Sequence, residues 1–283
     1  MTGANPTIRQ RELGTHLRQL RNALNLTVED VATQLLCSAT KISRIETAMR
    51  RPSLRDVRDL CMLYSVDEPT TAQLMDLARM AREPGWWTQY GDLGLGPYIG
   101  LEQDAKAITC FTMYGVPALL QTEDYAREIV KAIAPHATPA VHEQRVEARL
   151  RRQQVLEHDD PPRYRALLDE AVLRRQVGGA SVMVAQIDKI LKLDRDSKAT
   201  VQVIPFDVGA HAAQDSNFVF LEFQEPMSSI VFIEGLAGNQ YLERRSDVEN
   251  YREAIEQLRD SALTPRDSVE YMVTVQKIYA DIQ

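Results

Sequence analysis

Leu26-Thr27-Val28-Glu29-Asp30-Val31-Ala32, then Ser38-Ala39-Thr40-Lys41-Ile42-Ser43-Arg44-Ile45-Glu46, then Arg51-Pro52-Ser53: this run holds two short helices and the turn between them. Thr27 offers a hydroxyl at an N-cap, and Glu29 and Asp30 place acids in the first turn behind it. Val28, Val31, Ala32 and Leu35 give that helix one apolar face, and it stops near Leu36. Ser38 is a second N-cap. The helix it starts runs to about Thr47 and buries Ile42 and Ile45. Arg51-Pro52 then breaks the chain, because a residue before proline disfavours helix, and Ser53 caps the next segment. The helix after Ser38 has a narrow core face (Ala39, Ile42, Ile45), while Thr40, Lys41, Ser43 and Arg44 point outward. None of those four is acidic. Short polar groups and an arginine reach base edges in a major groove, where carboxylates would be repelled by phosphates. Arg50 and Arg51, just beyond, are placed for backbone contacts.

Around this run lie three more helices. Leu13, Leu17, Leu20 and Leu24 share one face of the first. Leu54, Val57, Leu60 and Cys61 point inward on the fourth. A fifth is expected from Asp67 to Ala81, burying Leu74, Leu77 and Ala78. The run resembles the XRE family, the phage-repressor type of helix-turn-helix. The resemblance implies that Ala39, Thr40, Ser43 and Arg44 face the bases, that Thr27, Lys41, Arg50 and Arg51 meet phosphates, and that Arg21 and Glu46 form an internal ion pair. It implies glycine where this chain has Ala48, which puts the tight end of the third helix in question. Capping is in any case an ordinary reason for Thr27 and Ser38, and a solvated surface is an ordinary place for Lys41 and Arg44.

The whole chain has 283 residues, room for one large domain or two ordinary ones. With 44% hydrophobic and 26% charged residues it reads as globular. No apolar run is long enough to span a membrane, and the polar start, Met1 to Pro6, lacks the apolar core of a signal peptide. The 3 cysteines, Cys37, Cys61 and Cys110, are widely spaced and read as reduced thiols of a cytoplasmic protein. Of 33 basic and 40 acidic residues, 10 and 6 fall in residues 1–65, so a head of net +4 precedes a body of net -11. Only the head has the balance to meet a polyanion.

Arg82-Glu83-Pro84-Gly85-Trp86-Trp87 marks a break, and Gly91, Gly94, Gly96 and Pro97 follow. These glycines follow no strand and open no obvious helix, so a nucleotide loop is rejected. The tryptophans suit a domain junction. Helices are expected over Leu101–Met113, Glu123–Ile133, Val141–Glu157 and Val182–Leu193, with Pro135 and Pro139 bounding a linker. Strands are expected at Tyr164–Leu168, Thr200–Phe206, Phe218–Phe223 and Ser229–Ile233, and Glu243–Arg259 closes with a helix. The expected fold class is mostly α with an α+β C-terminal part: a five-helix helix-turn-helix domain over 1–81, a junction over 82–99, and an α+β domain of helices and a small sheet over 100–283.

Pro84-Gly85-Trp86-Trp87, the segment Val116 to Arg127 (VPALLQTEDYAR), Leu168 to Arg175 (LDEAVLRR) and Val203-Ile204-Pro205-Phe206 with Gly209-Ala210-His211 resemble, in order, the large actinobacterial group of XRE regulators with a C-terminal domain, the WhiJ-like and antitoxin-like regulators. Ala118 stands where that group has glycine. The resemblance implies a DNA-binding transcriptional regulator, often encoded beside a small acidic partner protein, and a repressor is the expected kind. The competing reading is an antitoxin-like interaction module that neutralises such a partner and binds DNA only to regulate itself. A third places a small-molecule effector near Trp86, Trp87 and His211. A homodimer on two half-sites of duplex DNA is expected. Asp169 and Glu170 suit a helix cap better than paired catalytic carboxylates, and His211 reads as a solvated loop histidine. His142-Glu143 lacks a second histidine four residues on. With no nucleophile elbow, phosphate loop or metal spacing, neither enzyme activity, cofactor nor metal is expected.

Overall fold

The computed structural model describes residues 8–90, 95–225 and 227–282. The chain divides into two compact units: Met1–Asp104 with Gln224–Met227, and Ala105–Phe223 with Ser228–Gln283. Among the described residues no helix is long and apolar enough to cross a membrane.

The first unit opens with five helices: α1 (Ile8–Ala23), α2 (Val28–Gln34), α3 (Ala39–Glu46), α4 (Leu54–Leu63) and α5 (Glu68–Met80). Each of the last four begins at a side-chain cap. Thr27, Ser38, Ser53 and Asp67 accept backbone N–H bonds from Asp30, Lys41, Asp56 and Thr70 at 3.1, 3.2, 3.0 and 2.7 Å. These oxygens satisfy donors that a helix start leaves without partners. The first four helices each end near one left-handed residue, Asn25, Leu36, Ala48 and Ser65, with φ between 50 and 56°. After α2, the Cys37 N–H returns to the Ala32 carbonyl at 2.9 Å, and after α4 the Val66 N–H returns to Cys61 at 3.0 Å, closing the orphan carbonyls as a Schellman turn does. Leu13, Leu17, Val31, Ile42, Ile45, Val57, Leu60 and Leu74 fill the core between the helices. Leu24, expected on the core face, is instead exposed: α1 ends at Ala23 and the chain has already turned away.

Residues expected to be a junction are packed into this unit. A short 3-10 turn, Trp86–Tyr90, leads towards α6 (Gly96–Asp104). The Trp87 ring lies against Gly85, Gly96 and Gly100, where an added Cβ would come within 2.2, 3.1 and 2.9 Å of it. Trp86 packs edge-on against Trp87 and Tyr90, and Arg9 of α1 holds Asp104 at 2.6 Å. Gly96 does open a helix, contrary to expectation; Gly91 and Gly94 lie outside the described residues. The expected helix over Leu101–Met113 is also corrected, since α6 stops at Asp104 and a strand, β1 (Ala107–Thr112), follows. The stretch AITCFT is buried on both faces, as parallel strands are, and such a run has no period to tell it from helix.

The second unit is built on a six-stranded sheet of order β3-β2-β1-β4-β5-β6. After β1 come α7 (Glu123–Ile133), α8 (Pro139–Arg152), β2 (Arg163–Asp169), α9 (Glu170–Arg174), α10 (Ala180–Arg195) and β3 (Thr200–Ile204). Then follow β4 (Phe218–Glu222), β5 (Ile230–Ile233), β6 (Gln240–Leu242), α11 (Arg245–Ser261) and α12 (Pro265–Ala280). Strands β1 to β3 are parallel, and β4 to β6 run antiparallel. Phe111, Leu167, Phe218, Phe220 and Val231 form a core with Val248, Ile255 and Leu258 of α11. Pro139 does not bound a linker. It sits in the first turn of α8 behind the cap Thr138, where proline loses nothing because its N–H would be unpaired anyway. The long helix expected to Glu157 gives way after Arg152 to a 3-10 turn, and β1, β6 and α12 were not anticipated. Ala118 opens a 3-10 turn and is not among the residues of positive φ, so glycine is not required there.

The outer edge of β3 is closed by α12 and the segment before it. Val203 N–H donates to the Ser268 hydroxyl at 3.0 Å, Leu263 N–H donates to the Val203 carbonyl at 2.8 Å, and Gln202 Nε2 donates to the Leu263 carbonyl at 3.0 Å. Ser268 is fully buried. Ser268→Ala leaves a buried strand N–H without an acceptor and is expected to destabilise the unit by about 1–3 kcal/mol, measured as a lower urea midpoint at unchanged slope.

Candidate nucleic-acid interface

The helix α3 presents two different sides. Ile42 and Ile45 are almost wholly buried in the core. Thr40, Ser43 and Arg44 are exposed, and Ala39 is half-buried against the core cluster. The exposed side of α3 is therefore narrower than the resemblance implies, three open side chains with Ala39 at its inner margin. Arg44, Arg50 and Arg51 are exposed and make no side-chain ion pair among the described residues. Lys41 differs. It is half-buried, and its Nζ pairs with Asp56 Oδ1 at 2.5 Å. Asp56 also closes the Ser53 capping box. Burial opposes its charge, but bonds from Lys41 and Ser53 outweigh that and hold its carboxyl below the usual range. Sequence reasoning saw the Ser53 cap but neither the capping box with Asp56 nor the ion pair, since no local spacing links Lys41 to Asp56. Thr27 is likewise engaged: its hydroxyl caps α2, and the Asp30 carboxylate accepts from both its N–H and its hydroxyl.

What holds α3 in place lies behind it. Arg21 Nε and a terminal nitrogen donate to the two Glu46 oxygens at 2.7 and 2.8 Å, and the other terminal nitrogen donates to the Leu26 carbonyl at 2.7 Å. Both residues are more than nine-tenths buried. The carboxylate beside it raises the Arg21 guanidinium above its ordinary value. At Gly14 of α1 a Cβ would stand 2.8 Å from the carbonyls of Ile45 and Glu46, so the two backbones touch where only glycine fits. Gln10 Nε2 donates to the Ala48 carbonyl at 2.9 Å and fixes the exit from α3. Gly14 and Gln10 escaped the sequence reading; a glycine inside an otherwise sound helix was the available signal for the first. Ala48 keeps the left-handed turn, with φ 56°, despite its side chain.

The residues named for an effector do not form one described site. Trp86 and Trp87 belong to the first unit and His211 to the second. His211 is not solvated. Its side chain is 3% exposed, with Nε2 3.8 Å from Asp169 Oδ2. Its Nδ1 accepts from the Ala213 N–H at 3.3 Å, and its ring meets Phe111 edge-on at 5.3 Å. Asp169 caps α9 by accepting from Ala171 N–H at 2.8 Å. Glu170 accepts from Phe206 N–H and from Arg174, each at 3.0 Å. Among the described residues no group of three or more His, Cys, Asp or Glu is placed to hold a metal ion.

Two substitutions test this geometry. Glu46→Ala leaves Arg21 buried and unpaired and is expected to cost about 3–5 kcal/mol, seen as loss of the first unit's thermal transition. Leu36 stands 94% exposed at φ 50° between α2 and α3. Leu36→Gly relieves about 1–2 kcal/mol of left-handed strain against about 0.5–1 kcal/mol of added chain entropy. A net gain of about 0.5–1 kcal/mol is expected by chemical denaturation.

Residues 12–74 match the model of a helix-turn-helix domain, and residues 95–273 match that of a domain of unknown function, DUF5753. Comparison with curated proteins and with solved structures finds no match. The first match covers the caps, the turn and α3 and supports a DNA-binding regulator. The second spans more than half of the chain, which therefore belongs to the DUF5753 family and carries a helix-turn-helix ahead of that domain.

Proposed function

We propose that this chain is a sequence-specific transcriptional repressor that binds its operator as a homodimer, with α3 in the major groove of each half-site. The observation that carries the reading is the contrast on α3. Its inner side is pinned by a buried, bidentate ion pair, while its outer side offers Thr40, Ser43 and an unpaired Arg44 with no carboxylate among them. An arginine held this way donates two bonds to a guanine edge, worth about 1–3 kcal/mol of discrimination. Arg50 and Arg51 set the register on the phosphates. Lys41 contributes little there, because Asp56 already neutralises it. Three reading side chains span only a few base pairs, so useful specificity takes two half-sites about 34 Å apart. The second unit is the part available for a small partner protein or an effector that sets when the operator is held.

Footprinting on the chain's own upstream DNA, with gel-shift titration of the protected fragment, tests this. Arg44→Ala is expected to weaken specific binding about 5- to 150-fold and to relax the preference at one base pair. Arg50→Ala is expected to lower affinity equally for all sequences and to reduce the salt slope by about 1. A chain that protects no fragment at low salt, or an Arg44→Ala protein with an unchanged footprint, would overturn the reading.

A further inference from the structure

The parallel half of the sheet has two unlike ends. Past the carboxyl ends of its strands, His211, Phe111 and Phe218 close the space, each ring nearly or wholly buried. The amino ends are open. There a cavity of about 580 Å³ is lined by the starts of β1, β2 and β3 and by the loops before β2 and β3. That volume lies within the range of small-molecule sites.

One row of side chains crosses its wall. Thr109 of β1 is the register partner of Arg165 in β2, and Arg165 is the partner of Thr200 in β3. Register partners share a face, so the three side chains leave the sheet side by side, Arg165 in the middle, at strand spacings of about 5 Å. All three residues line the cavity and all are half-buried. Arg165 Nε is buried without a hydrogen-bond partner, and among the described residues neither its guanidinium nor the two hydroxyls makes a hydrogen bond or ion pair. Three nearby carboxylates are committed elsewhere, Glu222 to Arg252 at 3.3 Å, Glu256 to Arg259 at 2.8 Å, and Glu157 to Lys198, while Asp196 on the same wall makes no ion pair among the described residues. Burial, with Arg259 and Arg163 beside it, outweighs the pull of Glu256 and Glu222 and lowers the Arg165 pKa. A partly desolvated cation left unpaired costs stability, and an anion bound against it recovers that cost.

We propose that this cavity binds a small organic anion whose oxyanion, a carboxylate or a phosphate, is held by the row Thr109, Arg165 and Thr200. The planar guanidinium takes two of its oxygens side by side, and the flanking hydroxyls supply a donor each. Arg163, also on the wall and exposed, adds charge at the mouth, while Asp196 on the same wall selects against a second negative group there. The site lies wholly within the second unit.

The test uses the full-length, nitrogen-15-labelled chain at constant ionic strength, titrated separately with inorganic phosphate and with citrate, the arginine Nε–H resonances being followed. Saturable movement of the Arg165 signal is expected with at least one probe. Phosphate alone would assign a phosphate ligand, citrate alone a carboxylate, and both an oxyanion site of either kind. Arg165→Met should weaken binding at least about tenfold, and Arg266→Met, at an exposed position, should leave it unchanged. Should Arg165→Met not fold, Thr109→Val and Thr200→Val remove the hydroxyls at constant shape, and each should weaken binding severalfold. No saturable shift at tens of millimolar of either probe, or a folded Thr109→Val, Thr200→Val double variant that binds like the parent, overturns the proposal. No DNA is present in the assay, so its failure leaves the operator reading standing.

Discussion

The buried pairing of Arg21 with Glu46 is the constraint on which the first unit depends. An eight-residue helix does not persist alone in water, because nucleation costs more than so few bonds return. Helix α3 is eight residues long and offers only Ile42 and Ile45 as deep anchors. Its remaining hold comes from Lys41, paired with Asp56 of α4, and above all from the last turn, where Glu46 is gripped by both arms of Arg21. Such a pair repays its desolvation only when nearly every donor is met. Here Leu26 takes the third nitrogen, and that bond ties the end of α1 to the start of α2 as well. Gly14 permits the close approach that makes the geometry possible. The pair thus sets position more than it adds stability, and position is what the proposed role of α3 needs.

The same logic sorts the cations of this unit. Arg9, Arg55, Arg58 and Arg79 each have a carboxylate within salt-bridge distance. Lys41 has one too, on the margin of the reading surface. Arg44, Arg50 and Arg51 have none among the described residues. A protein binding duplex DNA by charge alone would profit from every free cation, at the expense of selectivity, since phosphate contacts carry no sequence information. On the proposed operator reading, charge left free on and just after α3 with Lys41 tied down biases the balance towards base contacts.

Much of this was legible in the sequence because it is local. Thr27, Ser38 and Ser53 announce helix starts, and Pro52 forces a break, through bonds spanning three residues. The helix-turn-helix could thus be placed within a residue or two, and the Arg21–Glu46 pair followed from its resemblance. What escaped was non-local or chemically disguised. Three left-handed helix ends carry Asn, Leu and Ser where glycine would have marked them, and only the fourth, Ala48, was marked by the resemblance. Strand β1 hid in an apolar run that carries no period. Lys41 and Asp56, or Thr109, Arg165 and Thr200, lie far apart in the chain and meet only through the fold. His211 looked solvated between small residues because nothing nearby in the sequence says that Phe111 and Asp169 surround it.

The sheet adds a last constraint. Open α/β sheets ordinarily receive ligands beyond the carboxyl ends of their parallel strands, where helix starts and strand-end side chains converge. In this unit that end is spent on structure. Asp169 caps α9, Glu170 holds the Phe206 amide and Arg174, and His211 is wedged against Phe111. Asp169 and Glu170 already have hydrogen-bond partners there, so a ligand would have to break those bonds to use them. At the opposite end the balance is reversed, with a half-buried guanidinium and two hydroxyls unspent beside open volume. A buried donor without a partner, as Arg165 Nε is, is costly, and a fold that keeps it in one row with two half-buried threonines is poised for a ligand that supplies what it lacks.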